Sequence, residues 1–305
     1  MSLETDLLID RRRLTRRLAF WRVLAVLAVV AVLVVGLARE GLFGRPHVAR
    51  VVVSGLITED RRLTQAITRL ARDESVRAVE IYINSPGGSV AGGESLHDAF
   101  MKVAAAKPLV AVMGGLATSA GYMVALPAAR IFARDATLTG SIGVLLQTGD
   151  ISGLLARVGV SAELITSGPL KGEPSFVRPL SPAGRDVLQG LVMDLYEQFV
   201  GMVAAGRHLA PERVRALADG RAFTGRQAQQ LGLVDAIGGE AEARAWLAAE
   251  RGVPASLPIR DVEVTTLAER AIGATFGPIL QGITKSIAFQ GLKLDGAWAV
   301  WHPDL

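Results

Sequence analysis

The chain has 305 residues, enough for one large domain with appended segments, and half of its residues are hydrophobic. It contains no cysteine, which excludes disulfides, a cysteine nucleophile and thiolate metal sites. The formal net charge is +4, but part of the basic excess is one N-terminal cluster, so we expect no nucleic-acid partner.

The N-terminal part combines a basic segment, an apolar run and a short linker. Six arginines lie within residues 1–22, and an apolar run without charge follows over 23–38. With the residues just before it, this run reaches about 20 residues, the length of a membrane-spanning helix. The arginine excess ahead of the run predicts a single-pass transmembrane helix with a cytoplasmic N-terminus. A cleaved signal peptide ending near Ala38 and a buried core helix are the alternatives.

Strands and helices alternate after the linker, which covers residues 39–46. Alternation at this spacing indicates parallel strands with right-handed crossovers, and such folds keep their sites at the carboxyl ends of the strands. We therefore predict an α/β domain over 47–250 and a separate C-terminal tail over 251–305. The predicted strands cover 47–57, 76–83 and 109–113, and the helices between them cover 59–72 and 91–106.

A glycine-rich segment, Asn84 to Ser89, follows the second strand. Gly87 and Gly88 permit dihedral angles that turn backbone N–H groups towards a ligand. Beside a nucleophile, such groups form an oxyanion hole, which stabilises the charge that develops on an attacked carbonyl. The alternative is an ordinary turn, because Ser-Pro-Gly-Gly favours turns. A phosphate loop is disfavoured because no Gly-Lys-Ser/Thr follows.

Ser119 stands between the third strand and a helix-like run over 120–126. Only small residues flank it, so the turn can be sharp and the hydroxyl can face a substrate. A serine at a helix N-terminus also lies in the partial positive charge of the helix dipole. The pattern predicts a nucleophile, and the alternative is a serine that only caps the helix.

A serine nucleophile needs a base, and the four histidines lie outside the glycine-marked loops of this core. Lys171 lies in a loop over 166–174 that is shaped by glycine and proline, and it is one of only five lysines. As a base it must be neutral, so its pKa must fall from about 10.4 towards 8, which burial can cause. We predict that Ser141 orients this amine. The alternatives are a solvated surface lysine and a Ser-His-Asp triad.

The second half of the domain is predicted to be helical, over 181–205, 211–218 and from a capping box at Thr224. A short strand is expected over 163–165. The tail suggests an amphipathic helix over 267–283, for which membrane contact, subunit docking and core packing remain open.

Four motifs stand in one order along the chain, with the sequences Ser-Pro-Gly-Gly-Ser, Thr-Ser-Ala-Gly-Tyr, Thr-Gly-Ser-Ile-Gly-Val and the lysine loop. In this order they resemble signal peptide peptidase A and its relatives, over roughly residues 48–250. Those proteins are membrane-anchored serine peptidases with a Clp-protease/crotonase-like fold, which is built on repeated β-β-α and βαβ units.

The resemblance implies that Ser119 is the nucleophile, Lys171 the general base and Ser141 the residue that positions the lysine. It also implies that Gly87 and Gly88 form the oxyanion hole. Ala120 departs from the glycine that commonly follows the family's serine, a small change. The Clp protease places a histidine about one strand after its serine, and residues 141–144 contain none.

From the resemblance we expect a serine endopeptidase in a bacterial inner membrane, with the catalytic domain outside the cytoplasm and no cofactor or metal. One domain copy per chain implies a ring-like homo-oligomer. Extended apolar peptides such as remnant signal peptides are the expected substrates. A non-catalytic membrane scaffold of the same fold is the alternative function. A crotonase-type hydratase is disfavoured because no paired carboxylates lie near the glycine loops.

Overall fold

The computed structural model describes residues 17–31 and 45–262, and the backbone of 298–300. The chain divides into two units, Met1–Pro46 and His47–Leu305. In the first unit, helix α1 covers 17–31 and includes the first part of the predicted anchor, and residues 32–38 lie outside the described residues. Among the helices described, none has both the length and the apolar character that crossing a bilayer requires.

The second unit alternates strands and helices, as predicted. Its first half contains β1 His47–Ile57, α2 Arg61–Leu70, β2 Val76–Ser89, α3 Val90–Ala104, β3 Leu109–Thr118, α4 Ala120–Ala125, β4 Arg130–Ala133 and β5 Leu138–Gly140. Its second half contains α5 Ser152–Arg157, α6 Pro182–Arg207, α7 Pro211–Leu217, β6 Ala222–Thr224, α8 Gly225–Leu231, β7 Ala236–Ile237, α9 Glu240–Arg251, β8 Ile259–Asp261 and β9 Trp298–Val300.

The described strands form one sheet with the central order β6-β5-β3-β2-β1-β8. The pairs β1–β2 and β2–β3 are parallel, which confirms the predicted parallel strands. Strand β4 extends the sheet beside β3 and pairs with β7. Consecutive strand residues are buried on opposite faces, so Ile81 packs in the cluster with Phe100, while Ala78 packs in the cluster with Leu247 of α9. Burial on both faces explains the long β-branched runs of these strands.

Strands β2 and β3 are longer than the sequence predicts. We expected them to end at residues 83 and 113, with glycine-rich loops beyond, but they continue to Ser89 and Thr118. The cause is pairing over the extra residues, since Gly88 pairs with Ile57 of β1, and Ser85 pairs with Ala117 of β3. The interpretation of this segment as an ordinary turn is therefore wrong.

The predicted strand over 163–165 is also wrong, because these residues are exposed and have no strand partner. The helices of the second half are confirmed. Helix α6 begins after Ser181, whose Oγ accepts the N–H of Gly184 at 2.9 Å. Thr224 forms the predicted capping box at the start of α8. The predicted helix over 267–283 lies outside the described residues.

Candidate active site

Three parallel strands end together and define the candidate site. Ser85 pairs with Ala117, and Thr118 pairs with Gly140, so the ends of β2, β3 and β5 are adjacent. The Thr118 hydroxyl donates a hydrogen bond to the Pro86 carbonyl at 3.0 Å. This bond links Thr118, which precedes the predicted nucleophile, to Pro86, which precedes the predicted oxyanion-hole glycines. Sites in parallel sheets lie at this edge.

Ser119 occupies a strained turn between β3 and α4. Its φ of 57° and ψ of −119° lie outside the regions that non-glycine residues favour. Such a conformation costs about 1–3 kcal/mol and persists only where the surroundings enforce it. The N–H of Ser119 donates to the Gly140 carbonyl at 2.8 Å, which is one enforcing contact.

The side chain of Ser119 is buried and unengaged. The residue is 1% exposed, and among the described residues its Oγ has no hydrogen-bond partner. Nor does the hydroxyl cap α4, which removes the interpretation of Ser119 as a helix cap. A hydroxyl at a strained strand-to-helix turn, with no structural hydrogen bond, has the arrangement of a nucleophile elbow.

Helix α4 behind the serine is held rigidly. All six of its residues are buried. The Tyr122 hydroxyl donates to the Leu233 carbonyl at 2.8 Å, and burial raises the pKa of this phenol, so it stays neutral. The neighbouring Asp235 carboxylate binds the Arg207 guanidinium at 2.6 Å and accepts the Ile131 N–H at 2.8 Å. The turn is therefore supported by buried hydrogen bonds on its inner side.

The two predicted oxyanion-hole glycines, Gly87 and Gly88, differ in their backbone surroundings. Gly87 has a φ of 109°, which favours glycine, and its N–H donates to Ser85 Oγ at 3.1 Å. That N–H is engaged within its own segment and does not face an oxyanion in this conformation. At Gly88, an added Cβ would lie 1.8 Å from the Ile57 carbonyl oxygen. Only glycine therefore permits this approach of β2 to β1.

A second N–H donor that sequence reasoning missed is Ala120. It is the first residue of α4, where a backbone N–H has no acceptor within the helix. In nucleophile elbows, the residue after the nucleophile supplies one oxyanion-hole N–H. The sequence feature that could have identified Ala120 as a donor was its position directly after Ser119. We take Gly88 and Ala120 as the candidate donor pair.

The other two predicted site residues lie in different surroundings. Ser141 is buried, has a φ of 48°, and follows Gly140, which accepts the Ser119 N–H. Lys171 lies in an exposed turn, where its backbone N–H donates to the Gly168 carbonyl. Because Ser119 Oγ has no partner, the Lys171 amine of the same chain is not bonded to it. One chain thus brings Ser119 close to Gly140 and Ser141, but it does not bond Ser119 to Lys171.

The histidines that the structure describes do not replace the lysine. His47 is the first residue of β1, so it lies at the amino end of that strand, opposite the carboxyl ends that define the candidate site. His97 lies on α3 and contacts Asp98 at 3.2 Å, and His208 ends α6. His302 lies outside the described residues. No described histidine is bonded to Ser119 Oγ, so no Ser-His-Asp triad is formed there.

Comparisons with known proteins find similarity to peptidases. The model of peptidase family S49 matches residues 101–254, and the Clp protease model matches residues 49–141. A putative protease of Synechocystis is 40% identical over 210 residues, which are 68% of this chain and 76% of that protein. Among solved structures, a ClpP1 mutant from Listeria monocytogenes matches with a TM-score of 0.42 and 18% identity, over 63% of this chain and 92% of its own.

Two further relatives are matched over a smaller part of their length. A putative signal peptide peptidase SppA of Enterococcus faecium is 37% identical over 58% of this chain and 51% of that protein. Protease 4 of Salmonella typhi is 36% identical over 54% of this chain and 27% of that protein. The chain therefore spans about half or less of these two relatives.

Proposed function

Because this chain belongs to peptidase family S49, we propose that it is a serine endopeptidase in which Ser119 is the nucleophile. The observation that carries the proposal is the strained, buried and unbonded Ser119 at the meeting point of three strand ends. The second element is Gly88, whose backbone only glycine permits and which lies two residues after Pro86, the residue whose carbonyl accepts the Thr118 hydroxyl. A helix cap or a core serine would require neither feature.

The proposed reaction is acyl transfer through an acyl-enzyme. Ser119 Oγ attacks the peptide carbonyl carbon, and the neutral Lys171 amine takes the hydroxyl proton as the new bond forms. The N–H groups of Gly88 and Ala120 donate to the oxyanion. The amine returns the proton to the leaving nitrogen as the C–N bond breaks. Water then adds to the acyl carbon while the same amine takes its proton, and the amine gives that proton to Oγ as the bond to Oγ breaks and the acid is released.

We propose that a second copy of the chain supplies Lys171. The segment that carries this lysine, residues 145–180, which we call the lysine arm, is mostly exposed. Its exposed apolar side chains include Ile151, Leu154, Val158, Val160, Ile165 and Phe176. Apolar side chains displayed in this number typify an interface. Docking the arm on a neighbouring copy would bury these side chains together with Lys171.

Membrane anchoring is the further part of this proposal. Its support is the arginine excess before the apolar run over 23–38 and the helix over 17–31. Anchoring would place the catalytic domain on the far side of the inner membrane, close to extended apolar segments such as remnant signal peptides. Fractionation of cells that express the full chain tests it. Recovery of the chain from the soluble fraction, shortened near residue 38, would instead identify a cleaved signal peptide.

Cleavage of a fluorogenic peptide by the full chain tests the proposed chemistry. We expect Ser119→Ala and Lys171→Ala each to abolish cleavage while the far-ultraviolet circular dichroism spectrum stays unchanged. Lys171→Arg is a matched control, since it keeps a long basic side chain but cannot release its proton at working pH, and it should also be inactive. Activity retained by Ser119→Ala or by Lys171→Arg would contradict the dyad.

A further inference from the structure

A groove between helices α2 and α3 carries a concentration of positive charge. Its nine lining residues are all polar, and four of them are cations against a single carboxylate, that of Glu59. The cations, which we call the groove cations, are exposed and comprise Arg61, Arg69, Arg72 and Lys102. None of them forms an ion pair with another residue that the structure describes. The groove therefore presents net positive charge to its surroundings.

The charge at the start of α2 is placed against the preference of the helix itself. Arg61 and Arg62 begin the helix, and its first turn contains no acidic residue. Cations at a helix N-terminus are unfavourable because the helix dipole is positive there. Asp60 offsets part of this cost, since its side chain accepts the backbone N–H groups of Arg62 and Leu63. Solubility alone does not require arginine at these positions, so the pattern indicates an anionic partner.

Three of the groove cations lie near the point where the linker enters the domain. Arg69 and Lys102 belong to the last turns of α2 and α3, and Arg72 follows α2 directly. The turn after α2 continues to Ser75, whose carbonyl accepts the N–H of His47 at 2.9 Å. His47 is the first residue of β1 and the first residue after the linker over 39–46. This end of the groove is therefore at the amino ends of the strands, opposite the candidate active site.

The proposed anchor limits how far this edge of the sheet can lie from a membrane. The linker over 39–46 is short, and an extended chain spans at most about 3.6 Å per residue, so the linker reaches about 30 Å. A bilayer surface rich in anionic lipid attracts Lys and Arg side chains over a range of about 8 Å at physiological salt. The linker thus keeps the groove cations where such a surface is within reach.

We propose that the groove between α2 and α3 docks the domain on the phosphate headgroups of an anionic bilayer. The proposal rests on the membrane anchoring proposed above and adds the surface by which the tethered domain meets the lipid. Guanidinium groups suit this partner because they bind phosphate oxygens through two parallel N–H donors. Docking at this groove would leave the carboxyl ends of the strands, where Ser119 lies, open to peptide.

The test is contact quenching of a fluorophore on the full chain reconstituted into vesicles. The chain has no cysteine, so Met101→Cys provides a single labelling site. Met101 is 49% exposed and precedes Lys102 without lining the groove. A lipid with a nitroxide on its headgroup quenches the label only near contact. We expect quenching in vesicles that contain phosphatidylglycerol, little quenching in pure phosphatidylcholine, and loss of quenching in 1 M salt, where the screening length is about 3 Å.

Two charge-matched variants show whether the groove itself is responsible. The groove variant combines Arg69→Gln, Arg72→Gln and Lys102→Gln. The control carries the same change at three exposed arginines outside the groove, Arg185, Arg213 and Arg226. The ratio of docked to undocked chains should fall about 100-fold in the groove variant, since each cation near an anionic surface contributes about fivefold, and should change less than about twofold in the control. Equal loss in both variants would overturn the proposal.

Flotation of the same vesicles separates failure of this proposal from failure of the proposed anchoring. A chain that floats with both kinds of vesicle, but is quenched equally in both, would overturn the docking surface and leave the anchor standing. A chain that floats with neither would contradict the anchoring and, with it, the docking. A change in label emission with inorganic phosphate but not with phosphatidylglycerol vesicles would identify a soluble anion as the occupant and would overturn the proposal. Peptide cleavage by the detergent-solubilised chain reports on Ser119 independently of all three results.

Discussion

The arrangement of Ser119 and Lys171 predicts that two inactive variants restore each other's activity. Within the described part of one chain, Ser119 Oγ has no hydrogen-bond partner, and Lys171 lies exposed in a turn of the lysine arm. If a neighbouring copy completes the site, a Ser119→Ala chain still offers its lysine, and a Lys171→Ala chain still offers its serine. Mixed assemblies should therefore contain some complete sites.

The size of the effect follows from counting sites. In randomly mixed assemblies of equal amounts, a site has an intact serine in about half of cases, and its neighbour an intact lysine in about half, so about one quarter of sites are complete. Each variant alone should lose about 10⁴-fold or more in kcat, because removing a nucleophile or its base disables the whole unit. A recovery to about one quarter of wild-type activity is far above that background.

The assay is co-expression of the two variants with different affinity tags, followed by tandem purification and cleavage of a fluorogenic peptide. Tandem purification guarantees that both chains are present in each assembly. The same purification of two differently tagged Ser119→Ala chains is the control and should be inactive. Activity of the mixed assembly at the level of the single variants would refute the shared site and would place both residues on one chain.

Three other perturbations test the supporting structure. Gly88→Ala would place a Cβ 1.8 Å from the Ile57 carbonyl oxygen, so it should displace β2 from β1 and abolish cleavage. The control is Gly190→Ala on α6, whose added Cβ meets nothing within 4 Å, and it should keep full activity. Equal cleavage activity of the two variants would contradict the tight approach of β2 to β1. Tyr122→Phe leaves the Leu233 carbonyl unpaired and should lower the free energy of unfolding by about 1–3 kcal/mol in urea titrations, and an unchanged midpoint would show that the bond does not support α4. Glu80 is fully buried, and its oxygens have no hydrogen-bond partner among the residues that the structure describes. Burial first, then the Glu240 carboxylate, raises its pKa from 4.5 to about 7. Its protonated form is favoured in the folded state, so its stabilisation is complete below pH 4.5 and is lost as pH rises through about 7. Glu80→Gln should therefore match wild type at pH 5 and exceed it by about 2–3 kcal/mol at pH 8, and an identical pH dependence in both proteins would contradict this assignment.

Local pattern predicted the framework of the domain well. The run from His47 to Ile57 is a strand with the predicted bounds, and the helices α2, α3 and α6 begin and end within two residues of their predicted bounds. These elements depend on periodicity and on caps such as Ser181, which are encoded in neighbouring residues. The position of Ser119 at a turn between strand and helix follows from the same local signals.

Long-range pairing is what the sequence could not supply. The segment over 84–89 has turn composition, but it is extended because β1 and β3 pair along it, and those contacts are distant in sequence. The engagement of the Gly87 N–H by Ser85 Oγ depends on the same geometry. We propose that Lys171 reaches the serine of a second copy, and a single sequence does not encode such an assembly in any local pattern.

The most direct test of the central claim is to map the site of reaction with a fluorophosphonate probe, which forms a covalent bond with an activated serine. We predict a single phosphonylated residue, Ser119, by peptide mass spectrometry of the full chain, with the adduct lost in Lys171→Ala as well as in Ser119→Ala. Labelling of another serine, such as Ser141, or labelling of Ser119 at the same rate without the lysine, would contradict the account.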